Sequence, residues 1–119
     1  MGESYLQLTK DLSGGIAELG SAIPDVMKGF SSLAQAASRD GALDKKTKEL
    51  IALSIGVAGH CKGCIGFHSK TLVDMGVTKE ELSEALGIAI YMGGGPSLMY
   101  AAEAMQAFHE FSQKKDAMI

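Results

Sequence analysis

The sequence predicts an all-α protein of about six helices joined by short turns. Three observations carry this expectation. Apolar residues recur at three- and four-residue intervals through most of the chain. Glycine, proline and capping signals punctuate those runs at Asp40-Gly41, Gly59, Gly76 and Gly93-Gly94-Gly95-Pro96. Strand-like alternation persists nowhere, and the sequence holds neither a long linker nor a low-complexity tract.

The first helix is expected from about Ser4 to Leu19, where Tyr5, Leu8, Leu12, Ile16 and Leu19 share one stripe and Gly14-Gly15 weakens the middle. Pro24 suits the first turn of a second helix, which carries Val26, Met27, Phe30, Leu33, Ala34 and Ala37 to a stop near Asp40-Gly41. Asp44 caps a third, with Thr47, Glu49, Leu50, Leu53 and Val57 preceding Gly59. A fourth begins near His60 or Cys61 and ends at Met75-Gly76, glycine taking the usual place just past a C-terminus. Thr78 and Glu81 form a capping box that opens a fifth helix, whose inner face carries Leu82, Ala85, Leu86, Ala89 and Ile90. Pro96 starts the last helix, which carries Met99, Ala102, Met105, Ala107 and Phe108. The terminal QKKDAMI reads as a frayed end.

A chain of 119 residues suits a single domain spanning 1–119. Its formal charge is −3 with lysine and arginine scattered, so no basic stripe invites nucleic acid. The opening MGESYLQLTKDLSGG lacks the basic end and apolar run of a signal peptide, and no apolar run reaches the ~20 residues of a membrane helix. A cytoplasmic location is expected, away from membranes. The chain is 46% hydrophobic but only 6% aromatic, so small and flexible apolar groups must fill the core; Met27, Met75, Met92, Met99 and Met105 fall at core spacing as gap fillers. So high an apolar share in a short chain also points to coverage by further copies of itself.

Chemistry concentrates between Glu49 and His68. Cys61 and Cys64 are the only cysteines, which argues against a disulfide framework. On a helix, Cys61, Cys64 and His68 fall within a narrow arc. A thiolate is the reactive form of cysteine, and a helix N-terminus or a neighbouring base lowers its pKa; the pair has both. If the turn lies near Gly59 and His60, a helical hairpin brings Glu49 level with His68, where its carboxylate can orient and charge the imidazole. The bland alternatives are buried bystander cysteines, a core or surface His68, and a Glu49 paired with Lys45 or Lys46. His60 is an auxiliary candidate, and His109 is expected to face solvent. Gly63 and Gly66 weaken the helix they sit in, which suggests the close approach of a neighbouring helix. A metal module built from Cys61, Cys64 and His68, with His60, is permitted by spacing, although structural zinc generally draws four ligands from two segments; no metal and no cofactor is expected.

The spacing of Glu49, eleven intervening residues, Cys61-x-x-Cys64, three residues and His68 resembles the alkylhydroperoxidase D-like branch of the carboxymuconolactone decarboxylase superfamily. The resemblance covers roughly Leu43 to Phe108, the segment from Tyr91 to Met99 included. It implies a helical subunit assembling into homo-trimers or hexamers, and a thiol peroxidase in which Cys64 attacks the peroxide, Cys61 resolves the sulfenate, and His68 and Glu49 relay the proton. A dithiol protein or small thiol is then the reductant. Members that decarboxylate a lactone generally lack the cysteine pair. The chain departs from the best-known peroxidases at Gly63, where they carry histidine directly before the second cysteine; His60 lies on the other side of Cys61 as a substitute. The same residues also fit a disulfide oxidoreductase or redox sensor in which Cys61 is the attacking thiol.

Overall fold

The structure is a computed structural model that describes residues 4–118. Among them run six helices: α1 Tyr5–Ala22, α2 Pro24–Ser38, α3 Lys45–Ala58, α4 Lys62–Asp74, α5 Lys79–Gly93 and α6 Gly95–Ala117. The expected start signals act as read. Asp44 accepts from the Thr47 N–H at the head of α3, and Thr78 and Glu81 bond each other's backbone at the head of α5. Pro24 and Pro96 occupy the first turns of α2 and α6.

Helices α3 to α6 enclose the core. α3 packs on α4 and α5, and α6 packs on the same two from the other side. Leu53 and Val57 of α3, Ile65 and Leu72 of α4 and Leu82 of α5 are fully buried among Ala101, Ala104 and Ala107 of α6, whose small side chains let that long helix approach closely. The first turns of α1 lie over α4 and α6. Gly66 admits them: a Cβ there would stand 2.7 Å from Thr9 Cγ2 and 3.2 Å from Tyr5 Cδ1. Gly63 gives way in the same manner to Leu12, whose Cδ1 would meet a Cβ at 2.9 Å. Helix packing thus accounts for Gly66, while at Gly63 only the far end of Leu12 stands in the way.

Four expectations need correction. α1 runs unbroken through Gly14-Gly15 to Ala22, because nothing lies near either glycine and helix continuation costs only backbone entropy. The apolar stripe of α2 does not enter the core: no α2 residue is buried, and Phe30 and Leu33 are 64% and 65% exposed. Met75, Met92 and Met99 are likewise exposed, since α3 to α6 close the core with leucine, alanine and phenylalanine instead. Finally, α6 continues to Ala117, held by Lys115 Nζ donating to the Val73 carbonyl at 3.1 Å; the expected fraying at Ile119 lies outside the described residues.

Candidate functional site

The site is built on the turn between α3 and α4. The His60 N–H donates to the Val57 carbonyl at 3.1 Å and the Cys61 N–H to the Gly56 carbonyl at 2.9 Å, the paired bonds of a Schellman ending. That ending needs one left-handed residue, normally glycine. Here it is His60, with φ 57°, although Gly59 is its neighbour. A left-handed β-substituted residue costs about 1–2 kcal/mol. Its imidazole is stacked flat on Tyr100 of α6, ring centroids 4.7 Å apart, which helps to hold the conformation.

The same turn makes Cys61 the N-cap of α4, its sulfur accepting from the Cys64 N–H at 3.1 Å. Cys61 and Cys64 are joined as a disulfide, Cα atoms 5.2 Å apart. The bond forms within the first turn and leaves α4 intact. Gly56 brings α3 against it: a Cβ there would stand 2.8 Å from Cys64 Cβ. One helical turn beyond Cys64, His68 donates its Nδ1–H to Glu49 Oε1. The Glu49 side chain is only 14% exposed, which shields its partnership with His68 from water. The structure therefore brings together Cys61, Cys64, His68 and Glu49. Lys46 pairs with Glu81 rather than with Glu49. His109 is exposed and sits edge-on to Phe108.

Beside the pair lies a charged cluster that local sequence does not announce. Glu103 Oε1 accepts from Tyr5 Oη at 2.6 Å and is 3.2 Å from Lys62 Nζ, while Glu110 accepts the Tyr5 and Leu6 N–H groups at 2.7 and 3.2 Å. Burial, then the hydrogen bond and charge of Glu103, push the Tyr5 hydroxyl well above the usual phenol range, so it stays protonated and donates. The contacts of Tyr5 and Leu6 join residues about a hundred positions apart in the chain, beyond the reach of any spacing pattern. Among the described residues no three His, Cys, Asp or Glu side chains gather as a cation site. No described helix is long and apolar enough to cross a membrane.

Fold and turn together define an all-helical protein with a vicinal cysteine pair at a helix start. The chain belongs to the carboxymuconolactone decarboxylase family, whose model matches residues 24–107. A carboxymuconolactone decarboxylase family protein from Legionella pneumophila is 63% identical and superposes with a TM-score of 0.89 over 91% of this chain and 96% of that one. A family member from Thermotoga maritima, for which a part in an antioxidative response has been suggested, is 30% identical with a TM-score of 0.81 over 92% and 93%. An uncharacterized protein from Cupriavidus necator is 39% identical, the match covering 85% of this chain and 96% of that one. The alkyl hydroperoxide reductase AhpD of Mycobacteroides abscessus is 36% identical over 52 residues, which is 44% of this chain and 30% of the reductase.

Proposed function

We propose that the protein is a thiol-dependent peroxidase of alkyl or hydrogen peroxides, turning over through the Cys61–Cys64 couple. The observation that carries the reading is the pair at the α4 N-terminus with a carboxylate-held His68 one turn behind it. The AhpD likeness over 52 residues supports it.

In the reduced protein, Cys64 attacks one peroxide oxygen as a thiolate. The O–O bond breaks, the sulfur becomes a sulfenic acid, and the leaving alkoxide takes a proton from His68 to depart as an alcohol. The Cys61 thiolate then attacks Cys64 Sγ and expels hydroxide, which leaves as water once protonated. The product is the intramolecular disulfide. A dithiol protein or a small thiol returns two electrons and two protons to the pair. Glu49 holds Nδ1 of the imidazole and so fixes the ring's orientation and leaves Nε2 for proton transfer. His60 is the auxiliary residue at the turn, the place where a strained backbone is most readily explained by use. This chemistry suits a reducing, cytoplasmic setting and a homo-trimer or hexamer.

Gly63 favours a second reading, a disulfide oxidoreductase or redox sensor with Cys61 attacking, since Cys61 stands nearest the helix N-terminus. Anaerobic addition of cumene hydroperoxide or hydrogen peroxide to reduced protein separates the two. The peroxidase loses both thiols and roughly two mass units within one turnover; a protein that keeps its thiols under peroxide yet exchanges with oxidised glutathione is the oxidoreductase. Cys64→Ser should abolish peroxide consumption, while Cys61→Ser should stop after one turnover as a trappable sulfenate. The reverse result assigns the attack to Cys61.

A further inference from the structure

We infer that Lys62 and Glu103 form a charge pair that sets the reduction potential of the cysteine couple, with Tyr5 fixing the carboxylate in place. The inference rests on Cys61 and Cys64 acting as a redox couple, not on which oxidant they meet. Lys62 lies between the two cysteines in the first turn of α4, and its ammonium is drawn 3.2 Å from Glu103 Oε1 on the facing helix. That same oxygen accepts the Tyr5 hydroxyl at 2.6 Å. Two donors on one oxygen fix the carboxylate, and the protonated phenol cannot leave as an anion in the neutral range.

The position of the pair gives it leverage. Reduction of the disulfide turns a neutral bond into thiols that ionise more readily than most side chains, at the very end of α4 where partial positive charge from the backbone already gathers. Lys62 adds a positive charge one residue from Cys61. Glu103 counters it and restrains it, directing the ammonium toward α6. Glu103 and Lys62 are therefore positioning residues with opposite electrostatic effects on the reduced state. A bystander ion pair at a helix crossing would need neither the shared oxygen nor the tyrosine 98 positions away in the chain.

The measurement is the equilibrium of the protein with glutathione, in which protein disulfide and two glutathione thiols exchange with protein dithiol and one glutathione disulfide. Glu103→Gln keeps an acceptor for Tyr5 but removes the negative charge and frees Lys62, so the reduced form gains and the equilibrium constant should rise about threefold, the order of effect of one nearby unit charge in a mostly aqueous dielectric. Lys62→Met removes the positive charge and should lower the constant by about the same factor. The thiol alkylation profile should shift to lower pH in the first variant and to higher pH in the second. Lys62→Arg, which preserves the charge, should restore wild-type values. The Lys62 side chain is 53% exposed, so this variant folds and decides the matter even if Glu103→Gln is unstable.

Constants that move in the same direction in both variants, or a Lys62→Met constant equal to wild type, overturn the assignment. Peroxide plays no part in this measurement. A wild type that equilibrates with glutathione but consumes no peroxide overturns only the peroxidase reading.

Discussion

His68 spends one ring nitrogen on Glu49, which leaves Nε2 to take and give the proton. An unperturbed thiol, with a pKa of about 8.5, is only a few per cent thiolate at neutral pH, so a base one turn from Cys64 has much to add. His68→Gln should slow iodoacetamide alkylation of the reduced protein about tenfold at pH 7, a shift of one pH unit in the profile, and recover most of the rate near pH 9. Glu49→Gln should act in the same direction and more weakly. Superimposable profiles would leave both as structural residues. Glycines separate cleanly by neighbour. Gly66→Ala drives a methyl into Thr9 and Tyr5 and should cost about 1–3 kcal/mol in urea denaturation. Gly63→Ala meets only the far end of Leu12, which can turn aside, and should stay within about 0.5 kcal/mol of wild type. The cysteines, His68 and Glu49 were legible in the sequence because all four lie on two consecutive helices whose geometry is periodic. Glu103, Tyr5 and Tyr100 were not, since helix packing rather than spacing brings them to the turn. His60 was legible only as an auxiliary candidate at the turn: spacing does not show that the left-handed residue there is His60 and not its neighbour Gly59.

Helix boundaries depended on capping chemistry, and there the sequence was nearly sufficient. Asp44 and Thr78 with Glu81 mark true starts because a cap satisfies backbone donors locally, and Pro24 and Pro96 because proline's fixed φ suits a first turn where its missing N–H has no partner to lose. The acid response follows from the same groups. Asp44 sits below the usual carboxylate range because the Thr47 N–H bonds it, and Glu81 because Lys46 does, then the Thr78 backbone. A carboxylate lowered in the folded state contributes stability that is complete above its unfolded value and is lost as pH falls through the folded one. Thermal stability should therefore fall below about pH 4.5, with a shallower slope in Asp44→Asn and Glu81→Gln than in wild type; equal slopes in all three would show that these caps do not control the acid limb. Helix middles were less legible. The pair Gly14-Gly15 marks a weak middle in α1, the helix passes through it, and with open space around both positions Gly14→Ala and Gly15→Ala should each stabilise by about 0.5–1 kcal/mol.

At the scale of the molecule, periodicity revealed which residues are apolar together but not what covers them. The stripe on α2 and the second half of α1 looks like core and lies outside it: Ile16, Leu19, Val26, Phe30 and Leu33 are all exposed. A second apolar surface opens between α3 and α5, a groove of about 390 Å³ lined by Leu50, Ile51, Ile55, Ala58, Ile88 and Met92. By helical period it lies on a different face of α3 from Glu49 and Gly56, so it is separate from the cysteine turn. Monomers rarely leave contiguous apolar patches beyond a few hundred Å². Two apolar surfaces on one small chain are the physical ground for the proposed trimer or hexamer, in which α1 and α2 would meet neighbouring copies. Light scattering of the wild type at micromolar concentration should give three or six chain masses. Phe30→Asp combined with Leu33→Asp places charge on a helix that has no buried residue, so the subunit should keep its helicity while the mass falls toward one chain. Ile55→Asp should do the same if the groove is the other half of the contact. An unchanged mass in the α2 double variant would move the interface to the α3–α5 face, and a monomeric wild type would remove the assembly altogether.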